Sequence, residues 1–160
     1  VLPSPRSWER VSRVWTAVKT KREREVLIGG IVGDATAHEF LTIAEELKNL
    51  ASVEKILSTP VRGLHKVIPT SINGLYGMAY AFAASVSAAS LSRLLEVVDA
   101  LDGLRGSAHN GLPMADIQTL AGSLVLERAL KLGLDCSNDP AFLSFDEKRR
   151  GDHQRLKLAA

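Results

Sequence analysis

Apolar positions along this chain recur at helical spacing almost throughout. Trp8, Val11, Trp15 and Val18 make the first stripe, while Arg6, Arg10 and Arg13 stand in a row on another side. Ser4 ahead of them suits a helix N-cap and Pro5 its first position, so the pattern predicts a helix over 5–20. Lys21–Glu25 reads as a charged bridge or a continuation of the first helix, and a short second helix is expected around Glu23 to Val32, with Gly33 as its left-handed cap. Asp34 is expected to cap a third helix carrying Phe40, Leu41, Ala44 and Leu47. Ser52 opens a short helix that must close before Pro60.

The clearest break lies at 60–70, where Pro60, Gly63 and Pro69 interrupt the pattern. A linker over 61–70 is expected there, with a short extended piece at Val67-Ile68 as the alternative. Beyond it, Ser71 caps a run with Ile72, Leu75, Tyr76, Ala79, Phe82 and Val86, and Leu91, Leu94, Leu95, Val98 and Leu101 form the next apolar face. Gly103 to Gly111 reads as a polar loop. Pro113 then opens a helix with Ile117, Leu120, Ala121, Leu124 and Leu130 that ends at Gly133. Asn138-Asp139-Pro140 starts a last short helix with Phe142, Leu143 and Phe145. No alternating β-branched run competes, so the expected fold class is all-α, with one helical bundle over 1–60 and a second over 71–147. Residues 148–160 read as a charged tail, whose closing Lys157–Ala160 looks like a cloning scar.

The chain's 160 residues suffice for one domain with a real core or for two small helical pieces, and a 46% hydrophobic share is ordinary for a globular chain. One cysteine, Cys136, excludes an internal disulfide and fits a reducing compartment, hence a cytoplasmic expectation. The N-terminus carries Pro and Arg where a signal peptide needs an apolar core, and Gly74–Ala89 is too short and too interrupted to span a membrane. Beginning on Val1 rather than Met reads as a fragment of a longer protein.

Catalytic chemistry is hard to find. No Gly-x-x-x-x-Gly-Lys-Ser/Thr loop exists, and Gly29-Gly30-Ile31-Val32-Gly33 has no following Lys or hydroxyl to meet phosphate or magnesium. That run reads instead as a close packing point plus a cap. His38, His65, His109 and His153 form no metal-ligand pair at helical spacing, and a single cysteine argues against structural zinc. Cys136 has no nearby His, and Ser107-Ala108-His109 lacks any sign of an oxyanion site. No catalytic residue and no metal ligand is therefore assigned.

Charge is informative in one place. Arg6, Arg10, Arg13, Lys19, Lys21, Arg22 and Arg24 are countered only by Glu9 and Glu23 up to that point, and Arg62 and Lys66 add charge at 60–70. A solvated or inter-subunit face ranks first for this cluster, a nucleotide-facing one second and nucleic acid last. The net charge of +2 and an aromatic share of 5% give nucleic acid little to hold, and Glu9 stands four residues before Arg13, where it can pair.

The Ser4-Pro5-Arg6 opening resembles the sensor-2 segment in the helical lid of AAA+ ATPases, in particular of the MoxR-like branch. Trp8, Gly29–Gly33, Glu39-Phe40-Leu41 and Val53–Leu57 read like the same region, and the resemblance runs over residues 3–60. It implies a C-terminal part of such a protein: a lid over 1–60, then an additional helical domain serving interaction or ring packing. It also implies ATP with Mg in the parent protein, where the matching Arg6 reaches the phosphates. The implied partners are the ATPase body of the parent chain, further copies in a homo-oligomeric ring, and a protein substrate to be remodelled. The isolated chain itself is expected to be inactive as an ATPase. The alternative is a free-standing helical binding module whose basic face docks an acidic protein or nucleic acid.

Overall fold

The computed structural model describes residues 3–106 and 108–148; of the tail expected over 148–160 only Lys148 is described, as the end of the last helix, and the rest lies outside the described residues, as does Ser107. The fold is all-α: among the described residues every regular element is a helix and no strand occurs. The chain forms two compact units, Val1–Asn49 and Leu50–Ala160. The division therefore falls well before the expected linker.

The first unit is three helices. α1 spans Pro5–Ala17, with Pro5 in its first turn and the Ser4 hydroxyl accepting from the Ser7 N–H at 3.2 Å. It ends three residues earlier than the apolar stripe predicts, because Val18 is extended and Thr20 caps the next helix. The Thr20 oxygen accepts from the Glu23 N–H at 3.4 Å while its hydroxyl donates to the Glu23 carboxylate at 2.6 Å. That reciprocal pair starts α2 at Lys21, so α2 runs over Lys21–Val32 and absorbs the expected charged bridge. Gly33 takes a φ of +89°, where L side chains are strained, and turns the chain into α3, Asp34–Lys48. Asp34 is the first residue of α3 and not its cap; Gly33 holds that position without a side-chain bond. A Cβ on Gly29 would lie 2.5 Å from the Asp34 carboxylate oxygen, which fixes Gly29 as the close packing point. Val11, Ile28, Val32, Ala37 and Leu41 form the core, walled by Trp8, Val14, Trp15, Ile31 and Phe40. Val14 joins it in place of the expected Val18.

The second unit has α4 (Val53–Ser58), a 3-10 helix (Val61–Lys66), α5 (Ile72–Ala84), α6 (Leu91–Ala100), a second 3-10 helix (Leu101–Gly106), α7 (Met114–Lys131) and α8 (140–148). Ser52 and Ser71 cap α4 and α5 through the N–H groups of Lys55 and Gly74, as their positions predict. The stretch expected as a linker is core instead: Leu64 is fully buried, Ile68 nearly so, and both join Leu75, Phe82 and Leu94 in one cluster. A 3-10 turn lets a Pro- and Gly-marked segment bury an apolar residue without being a long helix. The expected polar loop likewise begins as a 3-10 helix, and His109 within it is buried.

α5 and α7 form the centre of this unit, with α6 packed on α7. Leu75, Ala79 and Phe82 of α5 face Ile117, Ala121 and Val125 of α7 in the same cluster, but Ile72, Tyr76 and Leu130, expected in the apolar faces, stand 46%, 44% and 75% exposed. α8 starts where Asp139 accepts from the N–H groups of Ala141 and Phe142 at 2.8 and 3.3 Å. It lays Phe145 onto α7 at Gly122, where a Cβ would collide with the ring.

Candidate functional site

The first turn of α1 carries the residue that the sequence singles out. Arg6 is exposed and, among the described residues, has no hydrogen bond or ion pair. Its helix is held from beneath: Trp8 and Trp15 flank Phe40 of α3 with ring centroids 5.4 and 5.5 Å away, the second edge-on. The guanidinium thus projects from a rigid first turn whose helix polarity already favours anions. Arg10, one turn on, is also exposed and without a partner among the described residues.

The rest of the basic cluster is divided among different tasks. Arg13 pairs with Glu9 at 2.6 Å, as the spacing predicts, on side chains exposed enough for the pair to be weak. Arg24 is turned inward. Its Nε donates to the Val18 carbonyl at 2.8 Å, its Nη2 to the Trp15 carbonyl at 3.3 Å, and its guanidinium lies 4.4 Å from the Trp15 ring centroid. Lys48 reaches the same ring at 5.7 Å and bonds Glu45 at 2.9 Å. That hydrogen bond and the Lys48 charge, with smaller help from Lys21 and Arg24, hold the Glu45 carboxyl below its ordinary range. Lys19 and Arg22 remain exposed and unpaired among the described residues, while Arg62 and Lys66 belong to the second unit.

Among the described residues the other chemistry-bearing side chains have structural places. Among the described residues no three His, Cys, Asp or Glu side chains could hold a metal ion together. His109 lies fully buried with Nε2 3.2 Å from the Ile68 carbonyl, tying the loop to the chain beside the 3-10 helix. Burial pushes the Cys136 thiol up, with Asp135 and Asp139 adding to the shift, which is the reverse of what a nucleophile needs. Glu96, Asp99, Asp102 and Glu147 line a cleft of the second unit, but Lys148 sits on both Asp99 oxygens at 2.7 and 2.8 Å and Arg93 pairs with Glu96 at 2.5 Å.

Sequence reasoning missed three side chains that close helix C-termini from outside. Arg24 does so for α1; Arg93 donates to the Leu57 and Thr59 carbonyls at the end of α4; Gln118 donates to the Val98 and Asp99 carbonyls of α6 at 3.1 and 2.9 Å. Donor and acceptor are separated by up to 36 residues, so no local signal announces them.

No helix among the described residues is long and apolar enough to cross a membrane. No protein-family model, curated protein or solved structure matches the chain.

Proposed function

We propose that the first unit is the helical lid of a MoxR-like AAA+ ATPase and that Arg6 is its phosphate-sensing residue, the second unit being an appended helical interaction module. One observation carries the reading: an exposed guanidinium without a partner among the described residues, in the first turn of a Ser4-capped helix pinned by Trp8 and Trp15 on Phe40. The planar fork of Arg6 suits phosphate oxygens better than a point charge does. The described residues hold no cluster for a magnesium ion, so in this reading Mg and the phosphate loop are held by the ATPase body of the parent protein. ATP supplies the phosphoryl group there, and the chain contributes a movable cation. Movement of the lid with nucleotide state then couples hydrolysis in a homo-oligomeric ring to remodelling of a protein substrate in the cytoplasm.

The reading frame that encodes this chain is the direct test. A Gly-x-x-x-x-Gly-Lys-Ser/Thr loop following a predicted strand upstream supports the assignment. A start codon immediately before Val1 overturns it in favour of a free-standing helical binding module.

A further inference from the structure

We infer that the turn between α1 and α2 is a docking site for an acidic amphipathic helix of a partner protein. The surface lies at the opposite end of the 13-residue α1 from Arg6, roughly 18 Å away at 1.5 Å per residue, and does not depend on the nucleotide reading. A cleft of about 840 Å³ opens there, with Val18, Val26 and Leu27 as its apolar lining and Lys19 and Arg22 as its charged rim. Val26 is 68% exposed and Leu27 46%, although both sit inside a helix whose Ile28 and Val32 are buried. The cleft's one carboxylate, Glu23, is bonded to the Thr20 hydroxyl at 2.6 Å, whereas Lys19 and Arg22 have no partner among the described residues. Lys19 and Arg22 outnumber that one carboxylate, whose charge a neutral hydroxyl does not cancel, so the rim is net positive and an acidic partner complements it.

Gly30 supplies a second, independent observation. It lies one turn beyond Val26, is exposed, and a Cβ added there would meet nothing within 4 Å. A mid-helix glycine costs about 1 kcal/mol against alanine, and nothing inside the unit uses the missing side chain. Next to Val26 it leaves a place where another backbone can come close. An apolar ridge, a small residue one turn along and a basic rim match a helix with apolar residues at i and i+4 and carboxylates beside them.

The test uses the whole chain and a fluorescent synthetic helical peptide with Leu at i, i+4 and i+7 flanked by Glu. A second peptide carries Lys at each Glu position. Anisotropy titrations should show the acidic peptide binding and the Lys peptide failing to bind, with affinity falling as salt rises. Arg22→Glu and Val26→Asp, both exposed and checked for retained helicity, should each weaken binding roughly tenfold or more, and Arg128→Glu on α7 should not. Equal binding of both peptides, binding indifferent to the two substitutions, or no binding at millimolar chain overturns the proposal. So does tighter, equally substitution-sensitive binding of a duplex oligonucleotide, or self-association of the chain that Val26→Asp abolishes.

Discussion

Arg24 covers the indole of Trp15 and, in the same pose, donates to the Trp15 carbonyl at 3.3 Å and to the Val18 carbonyl at 2.8 Å. One side chain of α2 thus closes the exposed carbonyl end of α1 and stacks on the residue that anchors α1 to α3. Local pattern assigns Arg24 to a basic face; the fold makes it a structural fastening. The charge offered to a ligand by the first unit is correspondingly smaller than the run Lys19 to Arg24 implies.

Replacing Arg24 should therefore unfold the first unit more readily. A part-buried cation–π contact and charge-assisted hydrogen bonds together are worth about 1–3 kcal/mol, so Arg24→Ala should lower stability by that order and Arg24→Lys should recover only part of it. Arg22→Ala, two residues away and unpaired among the described residues, should change stability by less than about 0.5 kcal/mol. Urea unfolding followed by Trp8 and Trp15 fluorescence measures both; equal effects at the two positions would contradict the fastening role.

Leu64 tests the status of the 60–70 stretch. In a linker, Leu64→Ala would be silent. Leu64 is fully buried among Ile68, Leu75 and Phe82, so truncation should cost about 2–5 kcal/mol through lost burial and a residual cavity. A drop in urea midpoint for the second unit is the expected result, and an unchanged midpoint would restore the linker reading.

Much of this architecture is legible in the sequence, and what is not has a common cause. Ser4, Ser52, Ser71 and Asp139 cap helices where their position before an apolar run predicts it, because an N-cap acts over three residues. The same logic also marks Thr20 with Glu23, but the continuing stripe through Val18 outweighs it and carries the expected helix past its true end. Pro60, Gly63 and Pro69 were legible as interruptions of periodicity, not as exposure: a 3-10 helix breaks the pattern and still buries Leu64. The place of Arg6 in the first turn of α1 is legible from Ser4 and Pro5 before it. The inward turn of Arg24, the Lys148–Asp99 pair and the seat of Phe145 depend on helices brought together by tertiary packing, which no spacing rule reads.

Gly122 and Gly30 should respond in opposite directions to the same substitution. Alanine adds helix propensity worth about 1 kcal/mol at either site, but at Gly122 it drives into the Phe145 ring, and overpacking of a core costs about 1–3 kcal/mol. Gly122→Ala should thus destabilise the second unit and loosen α8, whereas Gly30→Ala, facing open space, should stabilise the first by up to about 1 kcal/mol. Denaturation midpoints of the two variants check the sign at each site. Stabilisation by Gly122→Ala would mean that Phe145 does not occupy that seat in solution.

Arg6 carries the proposed nucleotide role, and its exposure separates function from folding. Without a partner among the described residues it contributes no fastening, so Arg6→Ala should leave helicity and melting temperature unchanged. If the first unit is such a lid, the same substitution in the ATPase that carries it should slow hydrolysis by about a hundredfold, the scale on which a positioned charge stabilises a phosphoryl-transfer transition state. Arg6→Lys should rescue poorly, because an ammonium cannot present two parallel donors to phosphate oxygens. Arg10 is the internal control: it is equally exposed and cationic but one turn further from the Ser4 cap, so Arg10→Ala should do much less. Steady-state hydrolysis and nucleotide-dependent assembly, measured for the three variants beside the parent protein, give the comparison. Small and equal effects at Arg6 and Arg10 would reduce Ser4-Pro5-Arg6 to a helix start and remove the main support for the lid.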